Sequence, residues 1–255
     1  MRGLLIAAAA LAAEASVLVT GATGRSGSLL YHALKDRQVP VRALVRNVTK
    51  ARERLGCSAC DVSEGIYLGD VSDASSLPAA FEGVTHLANA VGVFGSEPEK
   101  VVKAVEWIGV KNQVQAFLKG GVAGKRVAMI STMGTSTPPT KGNKVMFYKL
   151  LAESYLSSAG VSFAIVKPCG LTDAPGGDRL LMAGHDDEES WFSEGFYMIP
   201  RADVANATAS ALLDAPADTM RFDLCAKGPG SGPSDVAAVL QAALLPWQRE
   251  KMVVV

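Results

Sequence analysis

The sequence predicts an α/β fold, a doubly wound parallel sheet with helices on both faces. Two observations predict it. Short apolar runs that read as buried strands alternate with longer stretches whose apolar residues recur at helical spacing. Strands joined by helix-sized connections pair in parallel, and a parallel sheet is covered on both faces. A glycine-rich turn between the first strand and the first helix is the second observation.

The elements follow in order. Ser16 to Thr20 reads as the first strand, and Gly27 to Asp36 as a helix with Leu29, Leu30, Ala33 and Leu34 on one face. Val39 to Val45 is the second strand, followed by a basic helix over Thr49 to Leu55. Ile66 to Leu68 is the third strand and Ser75 to Phe81 a short helix. Thr85 to Ala90 is the fourth strand. Pro98 to Lys119 reads as one long helix, stopped by Gly120-Gly121. Arg126 to Ile130, a helix over Lys144 to Ser158, and Ser162 to Val166 come next. A helix over Ala202 to Leu213, a strand over Arg221 to Cys225 and a helix over Ser234 to Leu245 complete the chain.

Composition sets the bounds. Of 255 residues, 49% are hydrophobic and 20% charged, which is ample for a core and excludes disorder as the main state. Lys plus Arg, 25, balance Asp plus Glu, 25, so nothing favours nucleic acid as a partner. Four cysteines are too few for a disulfide scaffold. No apolar run reaches the ~20 residues that cross a bilayer, so no transmembrane span is expected.

The N-terminus is unusual. Met1-Arg2, the apolar stretch Gly3 to Ala13, and Ala13-Glu14-Ala15 read as a signal or targeting leader over residues 1–15, leaving one domain over 16–255. A helical or mobile leader, or an imprecise gene start, ahead of the first strand is the alternative. Two sequons, Asn47-Val48-Thr49 and Asn206-Ala207-Thr208, bear on the compartment. A glycan on Asn47 would obstruct the ligand pocket argued next, which disfavours permanent residence in the secretory lumen. A real leader then points to organelle import, and the expected location is plastid or cytoplasm.

Thr20-Gly21-Ala22-Thr23-Gly24-Arg25-Ser26-Gly27 carries the strongest chemical signal. Gly21 permits a tight turn, Gly24 lets backbone approach a pyrophosphate, and Gly27 allows close helix–strand packing. Amides of Thr23 to Ser26, at the helix N-terminus, then face the phosphates. The second strand ends Val45-Arg46-Asn47, where an NAD-selective site carries a carboxylate for the ribose hydroxyl. Arg46 and Arg25 suit a 2′-phosphate instead, so NADP is expected over NAD. Gly69-Asp70-Val71 offers a carboxylate and an amide to the adenine edge.

These residues resemble the atypical short-chain dehydrogenase/reductases. Val105 to Gln113 (VEWIGVKNQ), Ser131-Thr-Met-Gly134, Tyr148-Lys149-Leu-Leu-Ala-Glu153, Ile199-Pro-Arg-Ala-Asp-Val204 and Phe222-Asp-Leu-Cys225 occur in the family's order. The chain looks most like plant-type, single-domain, NADP-binding members related to the NmrA-like and Tic62-like proteins. The resemblance runs from about Ser16 to the C-terminus. It implies a Rossmann-like domain with a small C-terminal substrate lobe.

The catalytic set departs from the family pattern. Tyr-x-x-x-Lys places a phenol and an ammonium on one helix face, and the lysine lowers the phenol's pKa. Lys149 matches the lysine, but Val145 stands four residues before it. Tyr148, adjacent to Lys149, points about 100° away around the helix; it is a catalytic candidate that can still line the pocket but does not simply replace the missing phenol, and half-buried packing is the plainer reading. Thr132, with Ser131 beside it, matches the hydroxyl that polarises a carbonyl. Asn89 and Val91, after the fourth strand, are expected on the nicotinamide side, as are Pro168 and Cys169 after the sixth. Cys169 as a lone thiol is more simply a packing residue. Cys57-Ser-Ala-Cys60 has no second pair to complete a zinc site and reads as accidental spacing, with redox function the alternative. His185-Asp-Asp-Glu-Glu189 reads as a solvated acidic loop, and no metal is assigned. The reading is an NADP(H)-dependent oxidoreductase acting on a small molecule. The alternatives are a non-catalytic NADP(H)-binding redox sensor and a scaffold subunit of a larger, plastid complex.

Overall fold

Every residue of β1 (Val17–Thr20) is buried, which places this strand inside the sheet. The computed structural model describes residues 15–136, 144–187, 191 and 198–250. The leader, apart from Ala15, and residues 188–189 of the acidic run lie outside these. After the glycine turn, α1 (Arg25–Asp36) buries Leu30, Tyr31 and Leu34 along one face. β2 (Val41–Val45) leads to α2 (Val48–Leu55). Asn47 caps α2 by accepting from the Lys50 amide at 2.9 Å, and Gly56 ends it in the left-handed region. β3 (Ile66–Leu68) is followed by a 3-10 turn, Ala74–Ser76, and by α3 (Pro78–Phe81), so the helix expected over 75–81 is split at Pro78.

β4 (His86–Asn89) precedes a long helical stretch that the sequence presents as one helix. It comprises α4 (Glu99–Val102), a π-helical segment (Lys103–Gly109) and α5 (Val110–Leu118). β5 (Arg126–Ile130), α6 (Lys144–Ser157) and β6 (Ser162–Pro168) follow. Beyond β6 come β7 (Gly170–Thr172), β8 (Leu181–Gly184) and β9 (Met198–Pro200), short strands with no clear pattern in the sequence. α7 (Arg201–Leu213) and β10 (Thr219–Ala226) stand where a helix and strand are expected. The last expected helix is shorter, α8 (Val236–Ala242), and Pro246 starts a separate α9 (Pro246–Glu250).

The main sheet has eight strands in the order β3-β2-β1-β4-β5-β6-β10-β8. Every neighbouring pair is parallel except β10–β8. β7 and β9 form a separate parallel pair. The order reverses between β1 and β4, the switch point at which such sheets bind ligands. One face is covered by α1 and α7, where Leu30, Leu34, Ala205 and Ala209 pack on the strands. Small buried alanines at 205, 207, 209 and 211 let α7 lie close to both the sheet and α1. The other face packs Leu77, Phe81, Val114, Phe117, Ala152 and Leu156. No described helix is long and apolar enough to cross a membrane.

Candidate active site

A cavity of about 770 Å³ opens at the carboxyl ends of β1, β2, β4, β5 and β6, across the switch point. The glycine turn forms its floor. The Gly24 amide donates to Gly21 O at 2.8 Å and closes the turn. Gly21 has φ +70°, and a Cβ there would lie 2.5 Å from Ala90 O. A Cβ on Gly27 would lie 2.1 Å from Gly21 O. No side chain caps α1, which begins at Arg25, so its first-turn amides remain for an anionic ligand. Gly21, Thr23, Gly24, Arg25 and Ser26 line the cavity. Gly27 acts behind it, holding α1 against the turn. A dinucleotide's diphosphate fits this cradle, because the backbone can close into this turn beneath the uncapped α1 amides only while Gly21 and Gly27 lack side chains.

At one end lie Arg46, Lys50 and Arg54, all lining the cavity. Asn47 caps α2 immediately after Arg46, and Lys50 and Arg54, four residues apart, share one face of that helix. Arg46 Nη1 is 3.7 Å from Asp70 Oδ2. Burial works against the Asp70 charge, but the Ser72 amide and hydroxyl and the Arg46 guanidinium outweigh it and hold the carboxyl below its ordinary range. Asp70 and Val71 both line the cavity, and Asn112 Nδ2 fixes that loop by donating to Val71 O at 2.9 Å. Arg25 does not join Arg46 as the sequence suggests. Its guanidinium lies 5.5 Å over the Phe94 ring and 3.4 Å from Asp173, which follows β7, so the side chain is turned away from the end of β2.

At the other end, Lys149 Nζ is 2.8 Å from Glu106 Oε2. Glu106 is 1% exposed, and its Oε1 accepts from the Val93 amide at 2.9 Å. The π-helical segment presents this carboxylate inward, and such segments recur at functional sites. Gln113 accepts from Thr20 Oγ1 at 2.6 Å and donates to Gly109 O at 2.9 Å. The VEWIGVKNQ run thereby ties the π segment to β1 and to the Asp70–Val71 loop. Spacing alone gave no sign of Glu106. A buried acid beside the family lysine becomes visible only when the helix is known to bulge there.

Thr132, Val145, Val91, Pro168 and Cys169 all line the cavity. Asn89 is buried and shapes the loop by accepting from the Val91 amide at 3.1 Å. Ser131 Oγ is hydrogen-bonded to Glu153, which turns the hydroxyl to the protein side. Tyr148 is not brought to the cavity. Its hydroxyl donates to Glu99 Oε1 at 2.9 Å, and that carboxylate pushes the phenol above its ordinary value. The one-residue offset from Lys149 rotates it toward α4.

Four further residues depart from their sequence reading. Cys57 and Cys60 are joined by a disulfide, so their spacing is not accidental. Cys169 is bonded to Cys225 rather than lone. β6 and β10 are neighbours with Pro168 opposite Leu224, which sets the two cysteines side by side. Asp187 is not solvated. Its Oδ1 lies 2.7 Å from the buried Lys167 Nζ, and it accepts from the Gly134 and Ser136 amides, each at 2.7 Å. Burial opposes the charge, but Lys167 and these amides together hold the Asp187 carboxyl below its ordinary range. This network supports the segment that follows Thr132.

Comparisons with known proteins agree with this geometry. The family model described as NAD(P)H-binding matches residues 21–215. An uncharacterized chloroplastic protein of Arabidopsis thaliana is 32% identical over 251 residues, covering 89% of this chain and 74% of that protein. Sanguinarine reductase of Eschscholzia californica is 31% identical over 275 residues, covering 91% of this chain and 97% of the reductase. A solved protein from Bacillus halodurans, described as an NAD-dependent epimerase/dehydratase, superposes with a TM-score of 0.73 at 23% identity. That match covers 89% of this chain and 99% of the other, and it shows the shared Rossmann-like fold. With the glycine cradle at the switch point and relatives spanning most of its length, the chain belongs to the NAD(P)H-binding, atypical short-chain dehydrogenase/reductase family.

Proposed function

We propose that the protein is an NADP(H)-dependent oxidoreductase acting on a small organic molecule. The observation that carries the choice of cofactor is the trio Arg46, Lys50 and Arg54 at the end of β2. A 2′-phosphate there would meet three cations, and Arg46 stands where NAD-selective sites carry an acid. When bound, the cofactor supplies a hydride from its nicotinamide. The chain does the rest. The amides at the start of α1 receive the diphosphate. Lys149, oriented by Glu106, has two further N–H donors for ribose hydroxyls. Thr132, which lines the cavity, would donate its hydroxyl to a substrate oxygen. Val145 supplies no proton, and Tyr148 is turned to Glu99. The proton therefore comes from Thr132, water or the substrate itself. Val145 also favours a second reading, an NADP(H)-binding module without turnover. The chloroplastic relatives support a plastid location.

A titration of the full chain with NADPH and NADH, followed by fluorescence, tests the cofactor. Arg46→Ala should weaken NADPH by about 10- to 100-fold, the scale of a hydrogen bond to a charged group, and leave NADH nearly unchanged. Equal losses for both would remove Arg46 as the 2′-phosphate reader. Consumption of NADPH with a panel of carbonyl compounds, alkenes and quinones, together with sanguinarine, separates the two readings. Tight binding with no consumption across the panel would favour the module.

A further inference from the structure

Asp173 lies just beyond β7 and holds two arginines at the cavity. Its Oδ1 is 2.6 Å from Arg201 Nη1, and its Oδ2 is 3.4 Å from Arg25 Nη1. Both arginines line the cavity. Arg25 is the first residue of α1, beside the phosphate-facing turn, and Arg201 is the first residue of α7. The β7–β9 pair brings the second contact about. Thr172 is in register with Pro200, so the residues that follow, Asp173 and Arg201, emerge side by side.

The exposures of the partners differ sharply. The Arg201 side chain is 9% exposed and that of Asp173 is 66%. A guanidinium withdrawn from water needs a strong anionic partner. A solvated aspartate is a weak one, because water competes for its oxygens. A diphosphate carries more charge, and its oxygens accept from two guanidinium forks at once. Asp173 therefore stands in for a doubly charged anion at the edge of the glycine cradle.

We propose that Arg201 and Arg25 form a two-guanidinium clamp for the cofactor diphosphate, and that Asp173 is the displaceable counterion that keeps the clamp assembled until the cofactor arrives. The proposal rests on dinucleotide binding and is independent of which dinucleotide is preferred. The small β7–β9 sheet thereby acquires a role in cofactor binding, since it carries the second arm of the clamp over the glycine turn.

The test is the dissociation constant of the full-length protein and its variants for NADPH and for NADH, with inorganic pyrophosphate as a competitor. Arg201→Ala should weaken both dinucleotides by the same factor, about 10- to 100-fold, and pyrophosphate should compete less well. This equal loss distinguishes it from Arg46→Ala, which acts on NADPH alone. Asp173→Asn removes an exposed charge with little risk to folding. It should tighten both dinucleotides by about 2- to 10-fold, the scale of an exposed ion pair. An unchanged affinity in a folded Arg201→Ala protein would overturn the clamp. Weakened binding in Asp173→Asn would overturn the counterion role and make Asp173 a structural strut. Binding of NADH alone would sink the NADP reading and leave the clamp standing. Binding of neither would sink both.

Discussion

Gly27→Ala should lower dinucleotide affinity by at least tenfold while leaving most of the fold intact. The new methyl would lie 2.1 Å from Gly21 O and 3.2 Å from Ala22 Cα. Neither neighbour is the end of a flexible side chain, so backbone has to move. Overpacking of this kind costs about 1–3 kcal/mol, and more when backbone is displaced. The displacement falls on the turn that receives the diphosphate. Gly21 O also accepts the Gly24 amide at 2.8 Å, so a shift at Gly21 opens the hydrogen bond that closes the cradle. The loss should be the same for NADPH and NADH. Circular dichroism should show a folded chain, and isothermal titration should show the weakened binding. Wild-type affinity in the alanine variant would mean that the turn accommodates a methyl group without distortion, and that glycine is not required there.

The same residue illustrates what was legible in the sequence. Strand, glycine turn and helix form a continuous local pattern, so the cradle, β1 and α1 could be placed from residue order alone. Arg46, Asp70 and Val71 were legible for the same reason, since Arg46 directly follows β2 and the Gly69-Asp70-Val71 run directly follows β3. Features that depend on distant segments were not. Lys167 falls just beyond the strand expected over Ser162 to Val166, which in fact runs to Pro168, and Asp187 reads as one of several acids in a loop. Only the β6–β10 pairing and the turn after β8 bring them together. The Cys169–Cys225 bond was hidden by the same separation. Arg201 was quoted within a family motif, but its position beside Asp173 depends on a three-residue strand pair too short to show a period. Glu106 was concealed differently. A π-helical segment shifts the phase of its side chains, so a reading at 3.6 residues per turn assigns the wrong face.

The buried ion cluster gives the second large effect. Lys167→Met should lower the stability of the protein by about 3–5 kcal/mol, the cost of breaking a buried pair and stranding its partner. At roughly 2–4 °C per kcal/mol for a chain of this size, the melting temperature should fall by about 6–20 °C. Lys167 is fully buried on β6, opposite Asp223 in the register with β10. Its Nζ lies 2.7 Å from Asp187 Oδ1 and 2.9 Å from Asp223 Oδ1. The methionine fills similar volume but leaves two carboxylates without their shared cation. Asp187 also holds the Gly134 and Ser136 amides, so the Thr132 segment should loosen with it.

The pH dependence supplies the decisive check. In the wild type, the Asp187 carboxyl is held below its unfolded value, chiefly by Lys167 acting against burial. Its contribution is present above about pH 4, the unfolded carboxylate range, and is lost as pH falls through the lower folded value. Without Lys167, burial dominates and raises the folded value. The variant should then lose stability as pH rises through the carboxylate range, and its deficit should shrink on acidification. Adding Asp223→Asn to Lys167→Met should recover part of the loss, since one stranded charge is removed. Thermal melts of the three proteins at several pH values between about 3 and 7 read all of this. Parallel pH profiles for wild type and Lys167→Met would show that Lys167 does not hold the Asp187 carboxyl ionised, and the stability at this corner would then rest on apolar packing.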